Sequence, residues 1–350
     1  MTDVSSGHPT GRTVDVETLR DRVPKLLVRA GMPEDQADIV SDVLVETSLR
    51  GIETHGVEKI VMYLDAFSRG TLNVAPRVRE EVSDGPAASI DADLGLGFVP
   101  SVLAARLAVE KARRHGVGAV AVRSSGHFGA GGHYARLIAE AGMVGFISTN
   151  ARPLLPTPGG VAPLVGNNPF AFAAPRDGGP PFVIDMACSV SAFGKVRRAS
   201  AAGERVPLDW GYDASGSPTD DPDAILEKGF LAPLGGYKGF NLALMMELLS
   251  AALCGAAMGP RAGSVGEPDV DGCGHFVLAL APAAFGGEGI ATAVEEWLQW
   301  MRDVEPSLRI PGEAGERLRE VHMAGGVHVS DAVASLLDDI ARPNDEDHRS

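Results

Sequence analysis

From Phe98 onward, segments with helical apolar spacing alternate with short apolar runs of strand length, which restricts the chain to helices layered on a sheet. The helical segments are 98–115, 132–141, 238–254 and 289–302, and the strand-like runs are 118–123, 144–149, 171–174, 182–185 and 275–281. The preceding part is helical. Residues 14–30 carry Val16, Leu19, Val23, Leu26 and Leu27 at helical spacing, with Pro24 expected to kink or split the run. Helices are also expected over 33–50 and 56–67, and strands over 78–82 and 88–91. Trp297 and Trp300 are expected on or near the buried side of the 289–302 helix, and 199–222 reads as a loop. Residues 1–13 and the charged tail 342–350 are expected to be disordered.

The formal net charge of -15 opposes nucleic-acid binding, because phosphates require a surplus of Lys and Arg. An anionic substrate would need a local cation set against that field. Cys188, Cys254 and Cys273 are too scattered for a disulfide framework, and no paired spacing suggests zinc. No metal is expected, and a reducing cytoplasm is the expected compartment. Residues 240–258 are the most membrane-like stretch, but Asn241 and Glu247 within it favour a buried helix, so no membrane partner is expected. The chain has 43 glycines in 350 residues, above the usual ~7%, and many fall in compact turns. Such turns suit backbone packed close to a ligand.

Two glycine-flanked histidines carry the chemistry. His55 lies in Arg50-Gly-Ile-Glu-Thr-His-Gly56, and His127 in Ser125-Gly-His-Phe-Gly129 at the end of a strand. Histidine exchanges protons near neutral pH. Backbone satisfaction of His127 is an equally good local reading. His127 and His133 do not share a helix face and lack an acidic partner, which disfavours a metal site. Lys59 lies four residues after His55, as a carboxylate clamp or a solvated cation. Asp185 ends the strand 182–185, where it would orient a histidine, bind a ribose hydroxyl or cap the next turn. Lys238 stands at a helix start behind two glycines, opposing the helix dipole, as expected of a functional residue rather than a structural one. The turn Gly95-Leu-Gly97 is followed by Pro100 where a dinucleotide fingerprint has glycine, and Arg123 stands where an acid would end the next strand, so an ordinary turn is favoured over an NADP-type Rossmann reading.

Taken in order, Arg50-Gly-Ile-Glu-Thr-His-Gly56, Ser125-Gly-His-Phe-Gly129, Ser148-Thr-Asn150, Gly166-Asn-Asn-Pro169, Asp185-Met-Ala187 with Gly194-Lys195, Leu234-Gly-Gly-Tyr-Lys-Gly239 and Arg309-Ile-Pro-Gly-Glu313 form a specific set. On these residues the chain resembles the type-2 malate/L-lactate dehydrogenase family, which also holds ureidoglycolate and sulfolactate dehydrogenases, diketogulonate reductases and piperideine-carboxylate reductases. The resemblance spans about Val16 to Ser330. It implies an α/β, non-Rossmann fold with a helical domain from both chain ends (14–75 and 303–341) and an α/β nicotinamide-binding domain (76–302). It implies a homodimer using NAD or NADP on a small carboxylate. It also implies His127 as the proton donor and acceptor, and His55 as a substrate contact or proton partner. Thr54, Lys59 and Asn150 would bind substrate. Asp185, Met186, Ala187, Lys238, Ala151, Gly312 and Glu313 would bind cofactor.

Four residues depart from the family's common pattern. Thr54 replaces Ser, Lys59 replaces Arg, His133 replaces an aromatic residue, and Ala151 replaces Ser. Lysine offers a point charge in place of a bidentate fork, so these changes bear on substrate and cofactor choice. The expected reaction interconverts a small 2-oxo acid and 2-hydroxy acid by hydride transfer. The rival reactions are reduction of a cyclic imine carboxylate and, from another class, non-catalytic nucleotide sensing.

Overall fold

The computed structural model describes residues 10–82, 84–263 and 272–341. The expected tail disorder at 342–350, and that at 1–9, lies outside the described residues. In chain order the elements begin with β1 (Gly11–Val14), α1 (Val16–Arg29), α2 (Glu34–Leu49) and α3 (Ile60–Ser68). Next come β2 (Arg79–Val82), β3 (Ala87–Asp91), α4 (Phe98–His115), β4 (Val117–Ser125), α5 (Gly131–Glu140) and β5 (Val144–Thr149). A short pair, β6 (Leu155–Pro156) and β7 (Pro163–Val165), precedes β8 (Phe170–Ala174) and β9 (Phe182–Met186). Then follow α6 (Phe193–Ala202), β10 (Gly211–Tyr212), α7 (Pro222–Glu227), β11 (Phe230–Leu231) and α8 (Tyr237–Glu247). The chain closes with β12 (Cys273–Leu280), α9 (Ile290–Val304), α10 (Glu313–Gly325), β13 (Val327–Ser330) and α11 (Asp331–Ala341).

The chain divides into two compact units, one of residues 1–70 with 314–350 and the other of residues 71–313. In the first, α1 packs on α2 and α11, and β1 pairs antiparallel with β13. Disorder over 1–13 therefore fails at residues 11–13, whose backbone groups are satisfied by β13. The Asp15 carboxylate caps α1 by accepting from Thr18 N–H at 2.7 Å. Helix α1 runs unbroken through Pro24, since burial of Val23, Leu26 and Leu27 outweighs the lost backbone bond.

The second unit is built on a sheet of order β2-β3-β4-β12-β5-β8-β9. Neighbours are antiparallel except β3 and β4, which are parallel. Helix α4 covers β4 and β12, and α5 covers β5 and β8. Two glycines set these approaches. A Cβ on Gly118 would lie 1.9 Å from the Ala108 carbonyl, and one on Gly145 would lie 2.8 Å from the Ile138 Cβ. A second core sits beside the sheet, where Leu155, Val165, Cys188, Val196, Phe240 and Met246 are buried together. The expected helix 238–254 ends earlier: α8 stops at Glu247 and continues as a π turn over 248–252. Helix α6 occupies the start of the segment read as a loop. The tryptophans of α9 do not face inward. Leu298 is fully buried, whereas Trp297 and Trp300 are 52% and 59% exposed on the other side of the helix.

Replacing Gly118 by Ala should therefore destabilise the second unit by roughly 2–4 kcal/mol, because the α4 backbone cannot yield to a methyl group. Denaturant titration checks this, and an unchanged midpoint would refute the packing argument.

Candidate active site

Strand β4 ends in a loop, 125–130, that holds His127. The loop is tied down at several points. Gly126 N–H donates to the Gly95 carbonyl at 2.7 Å, and Gly97 N–H donates to the His127 carbonyl at 3.0 Å. The Gly95–Gly97 turn thus acts as a clamp for the histidine's own backbone. A Cβ on Gly97 would meet the Gly126 carbonyl at 2.7 Å and the His275 Nε2 at 2.8 Å, so glycine is required there. The Tyr134 hydroxyl donates to the Phe128 carbonyl. The Cys273 thiol lies 3.2 Å from the Ser125 carbonyl and 3.3 Å from that of Gly126. Ser124, just before the loop, holds a left-handed backbone at φ 51°, as do Asp93 and Leu94 in the turn beside it. Such strain persists only where surrounding structure enforces it. On the His127 ring, Nδ1 accepts from Gly129 N–H at 3.3 Å.

Beneath the loop lies a residue that sequence reasoning missed. His275 is fully buried on β12, between β4 and β5. Its Nε2 is 2.7 Å from Ser125 Oγ and its Nδ1 is 2.8 Å from Thr149 Oγ1. The Thr149 hydroxyl donates to the Gly274 carbonyl at 3.0 Å, so it accepts from Nδ1–H, and Nε2 accepts from Ser125. The chain of hydrogen bonds runs Ser125 to His275 to Thr149 to Gly274. Phe128 stacks on the ring at 4.9 Å. Burial pushes the His275 pKa down to about 3, keeping the ring neutral. The missed signal was one histidine inside an otherwise apolar strand, Phe276 to Leu280, where only a bonded imidazole is tolerated.

The expected cofactor residues all belong to the second unit. Asp185 Oδ2 accepts from Gly132 N–H at 2.8 Å, placing a carboxylate at the N-terminus of α5. Surrounding protein raises the Asp185 pKa and the Gly132 bond opposes that shift. Its side chain nonetheless stays exposed, as does Lys238. Met186 and Ala187 follow on the same strand end, both partly buried. Gly235 and Gly236, at φ 60° and 67°, leave open space where side chains would stand beside Lys238. Gly312, at φ 90°, passes 3.3 Å from the Val183 nitrogen, measured from a hypothetical Cβ.

Two expected contacts prove to be committed elsewhere. Asn150 is 2% exposed, and its amide donates to the Ala257 carbonyl at 2.9 Å and to Glu247 Oε1 at 3.2 Å. Its Oδ1 accepts from Gly274 N–H at 2.8 Å. With both amide hydrogens spent, Asn150 braces the end of β5 and has no donor left for a substrate. Glu313 accepts from Arg176 at 2.9 Å and Arg302 at 2.6 Å. Burial raises its pKa, but those two arginines outweigh it and hold the carboxylate below its ordinary value. The acid that anchors Asn150, Glu247, is another residue missed as a scaffold. It is 5% exposed and accepts from Asn168 at 2.7 Å and Gly259 N–H at 3.1 Å as well.

In the first unit, Thr54 Oγ1 lies 2.9 Å from His55 Nδ1. Burial, aided by the Lys59 charge, lowers the His55 pKa to about 4. His55 is therefore a neutral hydrogen-bonding group near pH 7. Gly56 is required here, since a Cβ would fall 2.1 Å from Ser48 Oγ, which accepts from Val57 N–H at 2.8 Å. Arg50, the first residue of the motif, pairs with Glu46 at 2.6 Å and Glu316 at 2.9 Å and is structural.

A malate/L-lactate dehydrogenase family model matches residues 14–338. A malate dehydrogenase of Pyrococcus abyssi is 36% identical over 340 residues, covering 91% of each chain. The chain belongs to the malate/L-lactate dehydrogenase family. A (2R)-3-sulfolactate dehydrogenase (NADP(+)) of Chromohalobacter salexigens is 37% identical over 295 residues, with 84% of this chain and 87% of that one covered. The crystal structure of a delta1-piperideine-2-carboxylate reductase from Pseudomonas syringae superposes with a TM-score of 0.86 at 30% identity, covering 94% of this chain and 99% of that one.

Two predictions follow from the buried groups of this family member. His55 and His275 are neutral when folded, with pKa values of about 4 and about 3 against an ordinary 6.5. The unfolded chain binds more protons below pH 6.5, so their contribution to stability is present above that pH and lost as pH falls toward 4 and 3. Each should add up to about 1.4 kcal/mol per pH unit to the acid slope. Denaturant unfolding of wild type and His275→Gln at several pH values tests this: equal slopes would refute it. Glu247→Gln keeps the shape but turns one acceptor into a donor facing other donors. It should cost roughly 1–3 kcal/mol, read as a lower Tm.

Proposed function

We propose that this family member is an NAD(P)-dependent oxidoreductase that interconverts a small 2-oxo acid and the corresponding 2-hydroxy acid. The observation that supports this most is the His127 loop, where the His127 and Phe128 carbonyls and the ring Nδ1 are engaged by the protein. Nδ1 accepts from Gly129 N–H, and Nε2 is the ring atom proposed to exchange a proton with the substrate oxygen. A loop so braced holds the ring in place before substrate arrives.

The residues present fit a dinucleotide. Gly235 and Gly236 offer open backbone beside the exposed Lys238. Ser191 Oγ is buried without a partner among the described residues, two positions before α6, a helix that opens without a side-chain cap. Lys238 and the glycine turn would hold phosphate. Asp185, Met186, Ala187, Ala151 and Gly312 would line the nucleotide, and Glu313 would act by fixing Arg176 and Arg302. A bound nicotinamide would supply or take the hydride at C2. His127 gives the proton to the oxygen in reduction and takes it in oxidation. Thr54, His55 and Lys59 are proposed as substrate contacts on the family pattern, with Lys59 pairing with the carboxylate and His55 acting as a neutral partner. Asn150 is proposed to act indirectly, by holding β5.

We further propose a non-Rossmann fold, supported by a sheet with a single parallel neighbour pair, where a doubly wound dinucleotide fold would need a parallel sheet. A helical domain from both chain ends, an α/β nicotinamide-binding domain and a homodimer follow the family pattern. A cytoplasmic location suits three buried, unpaired cysteines. Similarity to the piperideine-carboxylate reductase favours cyclic imine reduction as the second reading.

A panel of 2-oxo acids and cyclic imine carboxylates with NADH and NADPH tests the reaction at the nicotinamide absorbance. Turnover of an oxo acid is expected, and turnover of imines alone would replace the main reading with the second. His127→Ala should lower kcat by about 10²–10⁴ while dinucleotide binding, followed by fluorescence, persists. Full activity in that variant would refute the assignment.

A further inference from the structure

Three of the expected landmarks of the second unit meet around Cys188. Its N–H donates to the Asn167 carbonyl at 2.8 Å, its thiol lies 3.3 Å from the Asn168 carbonyl, and its own carbonyl accepts from Leu234 N–H at 2.9 Å. Asn168 Oδ1 accepts from Ala151 N–H at 2.9 Å. The strand end at Ala187, the Lys238 turn and Ala151 are therefore one neighbourhood. Two further residues extend from it: Arg152 follows Ala151, and Phe193 opens α6.

Arg152 and Arg197 converge on that phenylalanine. Their guanidinium carbons lie 5.3 Å and 5.0 Å from the centroid of the Phe193 ring. Arg197 sits one helical turn beyond Phe193, which places it over the ring from the same helix face. Lys195 and Arg198 add charge on the same exposed helix. This is a local cationic patch on a chain of net charge -15. A guanidinium fork suits a phosphate monoester, and Phe193 brings two of them to one ring. The α6 N-terminus and the orphaned Ser191 hydroxyl lie beside it in sequence.

We propose that Arg152 and Arg197, seated on Phe193 where α6 begins, take the 2′-phosphate of NADP and make the enzyme prefer the phosphorylated dinucleotide. The inference rests on the dinucleotide reading above and deepens it from NAD or NADP to NADP. A 2′-phosphate is the group that separates the two cofactors, and Arg152 and Arg197 are 45 positions apart in the sequence. Arg197 forms no motif with Arg152 in the chain; the fold supplies the pairing.

The test is calorimetric titration of the full chain with adenosine 2′,5′-bisphosphate and with adenosine 5′-monophosphate, which differ only in the 2′-phosphate. The wild type should bind the bisphosphate roughly ten- to hundredfold more tightly. In Arg152→Gln/Arg197→Gln the ratio should collapse toward unity, and the NADPH-to-NADH ratio of kcat/KM should fall with it. Arg152→Lys/Arg197→Lys should restore part of the preference, because charge remains while the fork is lost. Equal binding of both nucleotides by wild type, or a preference kept in the double Gln variant, overturns the subsite and leaves the dinucleotide reading standing. Parallel weakening of both nucleotides in the variant moves the arginines to the 5′-phosphate and also overturns it. Binding of neither nucleotide by the wild type, with no turnover of NADH or NADPH, removes the dinucleotide reading itself and the subsite with it.

Discussion

An imidazole inside a sheet must have both ring nitrogens hydrogen-bonded, and His275 meets that demand by bridging the strands on either side of its own. Ser125 at the end of β4 donates to one nitrogen, and Thr149 at the end of β5 accepts from the other. Both partners are themselves buried, so no water can replace either bond. The two strand ends are thereby held at a set distance from β12. The loop with His127 leaves one of them and Asn150 leaves the other.

A second buried acceptor completes the frame. Glu247 gathers the amides of Asn150 and Asn168 and the backbone of Gly259 at the place where α8 gives way to a π turn. Asn168 is held at φ 26°, a strained backbone for a residue with a side chain, and its amide also donates to the Ala243 carbonyl at 2.9 Å. The consequence is functional by position. Asn168 orients Ala151, and its carbonyl meets the Cys188 thiol at the end of β9. Rigid polar networks of this kind are stabilising only when every member is satisfied. They explain why Asn150 reads as a site residue in the sequence and yet serves as a brace in the fold.

The helical and strand segments were legible because their apolar spacing matches the faces they bury: α4, α5, β4 and β5 follow that spacing closely. Spacing misled where a large apolar side chain sits on an exposed face, as at Trp297 and Trp300, because hydrophobicity alone does not say which side meets the core. It also missed β1, which is too polar to be a strand by itself and forms only because β13 pairs with it. The Gly95–Gly97 turn read as an ordinary turn for want of a third glycine. Its actual use, clamping the His127 backbone, lies in contacts made 30 positions further along the chain.

The residue order by itself determined the layered α/β class, the family, and the histidines and glycines on which a proton-transfer site would be built. These are properties of local spacing and of contiguous motifs, and a contiguous motif can be read without folding. Only the tertiary structure decided what each polar side chain is committed to. It left Lys238 and the Asp185 side chain exposed, spent Asn150 and Glu313 on internal partners, buried His275 as a neutral bridge and brought Arg152 to Arg197 on one ring. The physical reason is that a hydrogen bond or ion pair is a relation between two groups. The partners here come from strands and loops far apart in the chain, so their pairing exists only once the sheet has formed.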